Sequence, residues 1–331
     1  MNDALRSHNE TRRQFLLRCT KAGLSVAAAC SMGYCLYEPS DPGASDKKEG
    51  NVTLPDYSVP EKKGQIAIAT GKDRIKTVNS ALIALGGIEA FIQKGDHVLV
   101  KVNAAFATPP VLSATTNPEL LGEVVRLCLK AGAEKVKVTD NPINDPASCF
   151  TLTGIESAAR SAGAEVYLPK NIYFKPITVE GAELIKDWPL LFHPFKGVNK
   201  VIGISPVKDH HRSGASMAMK NWYGILGGRR NVFHQDIHNI IKELAMMIKP
   251  TLVILDGTVT MMTNGPTGGS LSDLKQTNTM IISTDQVAAD SFGATLLGKN
   301  TNELPFIKKA QEAGAGNADF KSLNPVMVSS G

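Results

Sequence analysis

The feature that most constrains the fold is a regular alternation of short apolar segments with amphipathic ones, which runs from Gly64 to Leu297. The apolar segments are rich in β-branched residues, as buried strands are, and the segments between them carry apolar residues at helical spacing. Strands that alternate with helices favour parallel pairing through crossover connections. The sequence therefore predicts an α/β fold, a doubly wound and mostly parallel sheet with helices on both faces.

The same pattern places the individual elements. Strands are predicted at residues 66–69, 97–102, 135–139, 165–168, 201–205, 251–255 and 279–283. Helices are predicted at residues 74–93, 151–162, 236–248 and 285–297, and from residue 117 onward. Residues 170–196 interrupt the alternation with three prolines, Pro176, Pro189 and Pro194. This interruption predicts a small insertion into the sheet domain.

The N-terminal segment has the character of an export signal. Arg12 and Arg13 are followed two positions later by Phe15, and then by a moderately apolar run over residues 22–37. That run is too short and too weakly apolar to predict a transmembrane helix. The arrangement resembles a twin-arginine export signal, so residues 1–37 are predicted to be recognised by the twin-arginine export machinery. The alternative is a basic N-terminus in front of a surface helix.

An export signal would carry the protein across the cytoplasmic membrane, to the periplasm or the extracytoplasmic face. Cleavage, lipidation at Cys30 and retention as a membrane anchor all stay open, and membrane contact is expected only through this segment if it is not cleaved. Residues 38–63 are rich in Pro, Asp, Ser, Lys and Gly, which predicts a flexible tether. Residues 64–331 are predicted to form a single α/β domain.

Charge and cysteine content exclude two classes of protein. The formal net charge is +5, but the first 37 residues contain five basic and two acidic residues and so account for +3 of it. The remaining +2 is too small for a nucleic-acid-binding surface. Of the five cysteines, only Cys128 and Cys149 lie beyond residue 37. The folded part therefore has neither a ferredoxin-type cysteine motif nor a paired zinc-binding Cys-x-x-Cys.

The chemically densest stretch is Ser205–His238, which holds four of the seven histidines among cations and glycines. In a parallel sheet, ligands gather beyond the carboxyl ends of the strands. The predicted strands deliver Lys101, Asn103, Asp140, Asp256 and the segment 206–212 to that one edge. Asp140 is equally well explained as a residue that turns the chain, and Arg229-Arg230 as a solvated turn.

This convergence predicts a crevice that binds a small anion, a carboxylate or a phosphate. The residues expected to hold the ligand are Lys101, Asn103, Asn221, Asp256 and Arg212. Acid–base catalysis would use His210 or His211 as the base, with Lys208 or Lys220 stabilising a developing oxyanion. The sequence contains no Walker or Gly-x-Gly-x-x-Gly motif, so nucleotides are not favoured as ligands.

The histidines also allow a metal centre. His210, His234 and Asp256 could bind zinc or iron, because imidazole and carboxylate suit both metals. A protein of another class is then the alternative: a non-catalytic accessory protein that carries a metal or redox centre within an exported complex. The cofactor, if there is one, stays open beyond zinc or iron.

Several short motifs resemble the family catalogued as domain of unknown function 362. In chain order they are Lys101-Val-Asn103, Thr115–Pro118, Pro206–His210, Lys220-Asn221 with Gly224, Asp256-Gly257, Asn264–Pro266 with Gly268-Gly269, and Asp285 with Asp290. The family usually has Lys-Pro-Asn and Lys-Thr-His where this chain has Lys-Val-Asn and Lys-Asp-His. The resemblance covers about residues 64–297 and implies the fold but no particular activity. Many relatives add a ferredoxin-like domain whose cysteines this chain lacks.

Overall fold

The computed structural model describes residues 13, 16, 17, 19–21 and 50–331. The chain separates into two compact units, Met1–Lys48 and Glu49–Gly331. In the first unit the described residues are helical. Most of the predicted signal segment and residues 38–49 of the predicted tether lie outside the described residues, so both stay predictions there. No helix in the described ranges is long and apolar enough to cross a membrane.

Packing of the second unit begins before the predicted boundary at Gly64. Tyr57 is buried, its amide donates to the Lys249 carbonyl at 3.1 Å, and its ring lies 6.3 Å from that of Phe195. Val52 forms a bridge with Ile177. Residues 52–63 are therefore part of the folded domain rather than a tether, because an aromatic side chain anchors them in the core.

An eight-stranded sheet forms the centre of the second unit, and two further strands form a separate sheet. The strands are β1 (Ile66–Thr70), β2 (His97–Lys101), β3 (Lys135–Thr139), β4 (Glu165–Tyr167), β5 (Phe174–Ile177), β6 (Trp188–Leu191), β7 (Lys200–Lys208), β8 (Leu252–Met261), β9 (Leu274–Ser283) and β10 (Val326–Ser329). The order in the large sheet is β10-β1-β9-β8-β7-β2-β3-β4. Only β9 runs antiparallel to its neighbours. The predicted mostly parallel α/β fold is confirmed.

Helices cover both faces of this sheet. They are α1 (Arg74–Ala84), α2 (Pro118–Lys130), α3 (Pro146–Leu152), α4 (Ile155–Ser161), α5 (Ala218–Asn221), α6 (Ile237–Met247), α7 (Gln286–Leu296) and α8 (Pro305–Glu312). Helices α1 to α4 share a core with Val98 and Val100, whereas α5 to α8 share one with Leu99. Successive residues of a strand point to opposite faces, so β2 contributes to both cores.

The order of the strands creates a reversal between β2 and β7. From β2 the chain adds β3 and β4 towards one edge, whereas from β7 it adds β8 and β9 towards the other. Such a reversal leaves a crevice beyond the carboxyl ends of the two central strands, where α/β proteins bind ligands. Lys101 ends β2 and Lys208 ends β7, so both lie at this crevice.

Glycines shorten two of the predicted helices. The helix predicted over residues 74–93 ends at Ala84, because Gly86 and Gly87 adopt φ values of 99° and 82°. The helix predicted over residues 151–162 is interrupted at Gly154, whose φ is 72°: α4 follows this glycine, and α3 before it begins already at Pro146. Left-handed backbone of this kind ends a helix, and glycine adopts it without steric cost.

The strands differ from the prediction mainly in length. β7 continues to Lys208 and β8 to Met261, because the two strands keep pairing beyond Pro206 after a shift in register. β10 was not predicted, since it is short and largely exposed. The insertion predicted at residues 170–196 contains the antiparallel pair β5 and β6.

Candidate functional site

A cavity of about 880 Å³ opens at the carboxyl ends of β2 and β7. Helix α5 follows the loop after β7 and brings two further side chains to the cavity, Lys220 and Asn221. The wall contains nine of the predicted site residues: Lys101, Asn103, Lys208, His210, His211, Arg212, Lys220, Asn221 and His234.

A buried ion pair lies between the strand ends. The Lys101 ammonium is 2.8 Å from Asp140 Oδ1 and donates to Asn221 Oδ1, also at 2.8 Å. Asp140 additionally accepts from the amides of Ala104 and Asn141, at 2.6 and 2.9 Å. Burial lowers the pKa of Lys101, and Asp140 opposes that shift by favouring the charged form. Lys101, Asp140 and Asn221 therefore form one charged network.

Asp140 is a site residue that the sequence-based assignment left out. The sequence signal that identified Lys101 is a charged residue at the carboxyl end of a buried strand. Asp140 follows the adjacent strand β3 and shows the same signal. An aspartate there commonly caps a turn, and Asp140 does accept from the next amide. The structure shows that it also neutralises a buried lysine.

Gly224 allows this ion pair to form. A Cβ atom on residue 224 would lie 2.6 Å from Lys101 Nζ and closer still to Asp140 Oδ1. We expect Gly224→Ala to lower the free energy of unfolding by at least about 2 kcal/mol, because overpacking displaces a buried charge pair. Chemical denaturation would measure this. Gly122→Ala in α2 is the control: its Cβ would meet Arg126 at 3.4 Å, and it should stabilise by up to about 1 kcal/mol. Equal effects of the two substitutions would contradict the proposed packing.

Two further lysines face the cavity with little compensation. Lys208 Nζ donates to the Ala114 carbonyl at 2.5 Å and lies 5.2 Å from the centroid of the Phe106 ring. Lys220 Nζ lies 5.1 Å from the Tyr223 ring centroid and forms no hydrogen bond or ion pair with any described residue. Burial, and then the charge of Lys220, lower the pKa of Lys208 to about 7. Burial, and then Arg230 and Lys101, lower the pKa of Lys220 to about 7.

The prediction that Arg230 lies in a solvated turn is wrong. Arg229 is exposed, but the half-buried Arg230 guanidinium donates to backbone carbonyls at 2.6 to 3.2 Å: those of Tyr223, Leu226, Asn141 and Pro142. A planar guanidinium can satisfy several fixed carbonyls at once, which an exposed turn would not require. Arg230 therefore adds a positive charge to the wall of the cavity.

The Nδ1 lone pair of His210 is occupied by hydrogen bonds from the backbone. Its Nδ1 accepts from the amides of Arg212 and Ser213, at 3.2 and 3.3 Å. A neutral imidazole with an acceptor at Nδ1 carries its proton on Nε2. Burial, and then the charge of Lys220, lower the pKa of His210 to about 2. This arrangement favours a role for the His210 side chain as a hydrogen-bond donor, and its role as a base stays a prediction without support from these contacts.

Of the three predicted zinc or iron ligands, only His210 and His234 lie together in the cavity wall. Asp256 lies outside the cavity wall, and its carboxylate accepts from Arg74 Nε at 2.8 Å and from the Thr258 amide at 2.9 Å. The free lone pair of His210 is taken by backbone amides, as described above. No cluster of three or more His, Cys, Asp or Glu side chains suited to a metal ion occurs in the described part of the chain. A bound metal stays a prediction for which the described residues offer no complete set of ligands. Asp256 instead stabilises α1 through its ion pair with Arg74.

Asn103 has an unused side chain at the cavity. Its backbone amide donates to Thr116 Oγ1 at 2.7 Å, which holds the residue in place after β2. The side-chain Oδ1 is buried and has no hydrogen-bond partner among the described residues. A buried polar atom without a partner is costly, so this amide is suited to contact a ligand.

Comparison with known protein families matches residues 98–295 to the family described as Domain of unknown function (DUF362). The match covers more than half of the chain. The chain belongs to this family. Among curated proteins, this DUF362 protein is similar to a thylakoid-associated protein of Synechocystis sp., with 24% identity over 255 residues, covering 72% of this chain and 75% of that protein.

A solved structure also resembles this DUF362 protein. It is the lactate racemase apoprotein from Thermoanaerobacterium thermosaccharolyticum, with 11% sequence identity and a TM-score of 0.36. The matched region covers 71% of this chain and 57% of that one.

Residues of four family motifs line the cavity or hold helices in place in this DUF362 protein. Lys101, Asn103, Lys208, His210, Lys220 and Asn221 line the cavity. The two aspartates of the last motif instead hold helices in place. Asp285 caps α7 by accepting from Val287 and Ala288 amides, both at 2.9 Å. Asp290 accepts from the Ala218 and Met219 amides, at 2.7 and 3.2 Å, and so fixes the start of the helix that carries Lys220.

Proposed function

We propose that this DUF362 protein binds a small anion, a carboxylate or a phosphate, in the cavity between the ends of β2 and β7. The observation that carries the proposal is an excess of positive charge at the buried end of the cavity. Four cationic side chains, Lys101, Lys208, Lys220 and Arg230, lie there in buried or half-buried positions. Among the described residues of the wall, Asp140 is the one carboxylate. An anion would supply the missing negative charge.

The hydrogen-bonding groups support the same ligand. Lys220 Nζ has no acceptor among the described residues, His210 offers its Nε2–H, and the side-chain Nδ2–H groups of Asn103 have no acceptor there either. Charge-assisted hydrogen bonds to carboxylate or phosphate oxygens are about twice as strong as neutral ones. A small oxyanion is the ligand that can use several such donors at once.

The proposed location is the extracytoplasmic face of the membrane. The resemblance of residues 1–37 to a twin-arginine signal supports export, and the thylakoid association of a relative with 24% identity supports a membrane-associated place of action. Fusion of residues 1–63 to a reporter that is active only after export would test this. Replacement of Arg12-Arg13 by Lys-Lys should abolish export.

Binding of sulfate, inorganic phosphate and pyruvate can be measured by thermal stabilisation and calorimetry. We expect Lys208→Met and Lys220→Met each to weaken binding by about tenfold to a hundredfold, since a charged hydrogen bond contributes about 1.5–3 kcal/mol. Methionine keeps the apolar stem of the side chain, so packing is largely preserved.

Lys137→Met is the matched control. Lys137 is also a buried lysine, but it donates to the carbonyls of Pro194 and Lys196 and lies outside the cavity wall. The Lys137→Met protein should bind the anions with the affinity of the wild type. Equal anion binding by Lys220→Met and Lys137→Met would contradict the proposed site. Stoichiometric zinc or iron in protein exported by its native host would instead favour the metal-bearing accessory protein.

A further inference from the structure

We propose that His234 is the proton-transferring base of this cavity and that His210 is the hydrogen-bond donor that acts with it. The substrate would be a small carboxylate with an acidic C–H bond next to a carbonyl group. The inference rests on the proposed anion site, because the cations must hold the carboxylate. It assigns the two cavity histidines opposite tautomers and therefore opposite roles.

The first step of the argument is the tautomer of His210. Backbone N–H groups can only donate, so the two amides at His210 Nδ1 require a lone pair there. The proton is consequently on Nε2. This atom has no hydrogen-bond partner among the described residues, and it is not fully buried. His210 thus presents an N–H group to the cavity that it lines.

The second step is the tautomer of His234. Its Nδ1 lies 3.3 Å from the Asn231 carbonyl and 3.1 Å from Tyr223 Oη. The Tyr223 hydroxyl donates its own proton to the Arg230 carbonyl, so its oxygen is left to accept. Both neighbours of Nδ1 are therefore acceptors, which places the His234 proton on Nδ1 and a free lone pair on Nε2.

The surroundings keep that lone pair available. Burial, and then the charge of Lys220, lower the pKa of His234, so the neutral form is favoured near neutral pH. His234 Nε2 has no hydrogen-bond partner among the described residues. The His234 ring lies 6.0 Å from the His210 ring, with an angle of 16° between the planes. A small molecule in the cavity can contact both.

The proposed reaction needs no further reactant. His234 Nε2 takes a proton from the carbon next to the carbonyl, and the electron pair of that C–H bond moves to form an enolate. The charge that develops on the carbonyl oxygen is stabilised by the His210 Nε2–H and by Lys220. Return of a proton from His234 to the carbon restores the substrate. The observable result in D₂O is exchange of hydrogen for deuterium on that carbon.

The tautomers are read directly by long-range ¹H–¹⁵N correlation on the full-length protein. We expect protonated Nδ1 in His234 and protonated Nε2 in His210. Assignments come from the spectra of His234→Gln and His210→Gln, in which the corresponding signals are lost. A proton on Nε2 of His234 would overturn the assignment of the base, whatever the result of the exchange experiment.

The reaction is tested with pyruvate in D₂O by following its methyl signal. We expect exchange above the buffer rate with the wild type, loss of at least about a hundredfold of that acceleration in His234→Gln, and a smaller loss in His210→Gln. His193→Gln should leave the rate unchanged, since His193 stacks on Tyr173 and lies outside the cavity wall.

Each other outcome contradicts a different statement. Pyruvate that binds without exchange, or exchange that survives His234→Gln, would overturn the inference and leave the anion site intact. If exchange is lost in His211→Gln but not in His234→Gln, the base is the exposed His211 instead. Binding of sulfate without pyruvate would overturn the substrate class, and failure of every anion to bind would overturn the proposed function itself.

Discussion

Replacing Asp140 by asparagine is expected to destabilise the protein by about 3–5 kcal/mol, because it removes the partner of a buried ammonium. The Lys101 side chain is 1% exposed and that of Asp140 is 2% exposed, so water cannot replace the lost carboxylate. Asn221 Oδ1 would be left as the acceptor for a full positive charge. Unfolding in urea, followed by circular dichroism, would measure the change.

Two comparisons identify the cause of this loss. The double substitution Lys101→Met with Asp140→Asn should cost less than the two single substitutions together, because it removes both charges. Glu156→Gln should cost less than about 0.5 kcal/mol, since its pair with Arg160 is exposed on the surface of α4. An Asp140→Asn protein within 1 kcal/mol of the wild type would show that Lys101 does not depend on the pair.

Much of the sheet could be predicted because burial imposes a composition on its strands. β2 has Val98, Leu99 and Val100 at its centre, β3 has Val136 and Val138 on either side of Lys137, and the observed β3 begins and ends as predicted. Strand direction carries no such signal: residues 279–283 of β9 are buried like those of a parallel strand, yet β9 pairs antiparallel with β8. Helix ends depended on whether Gly154 adopts positive φ, which the surrounding packing decides.

The site was predictable where strand ends alone determine position. Lys101 and Lys208 end adjacent strands, and the parallel register of β2 and β7 brings them to one edge. Asp256 was misplaced because β8 continues beyond it to Met261, while Arg74 at the start of α1 binds its carboxylate. Strand length beyond an aspartate depends on pairing with β7, and a single sequence does not reveal that.

The chemistry of the histidines could not be predicted from the sequence. Their roles follow from which backbone groups reach each Nδ1: amides of residues 212 and 213 for His210, and a carbonyl for His234. These contacts are set by the loop at residues 210–213 and by the 3₁₀ helix Arg230–Asp236 rather than by residue type. The sequence could locate imidazoles near lysines, but the choice between donor and base required the hydrogen bonds.

Sulfate affinity is expected to rise as the pH falls from about 8.5 to about 6, by up to about tenfold per pH unit for each proton taken up. Lys208 and Lys220 have their pKa values lowered from 10.5 to about 7, so both are partly neutral near neutral pH. A bound dianion favours their charged forms and raises both pKa values. Sulfate keeps its own charge throughout this range, so the change belongs to the protein.

The stability of the sulfate-free protein should move in the opposite direction. Because folding lowers these two pKa values, the stability they contribute is fully present above about pH 10.5 and is lost progressively as the pH falls from there to about 7. Sulfate restores that loss by pairing with the charged lysines. Calorimetry in buffers of different ionisation enthalpy would count the protons taken up. Lys220→Met should take up fewer protons than the wild type, whereas Lys137→Met should match it. Affinity that does not vary with pH would mean that both lysines are already charged before the anion arrives.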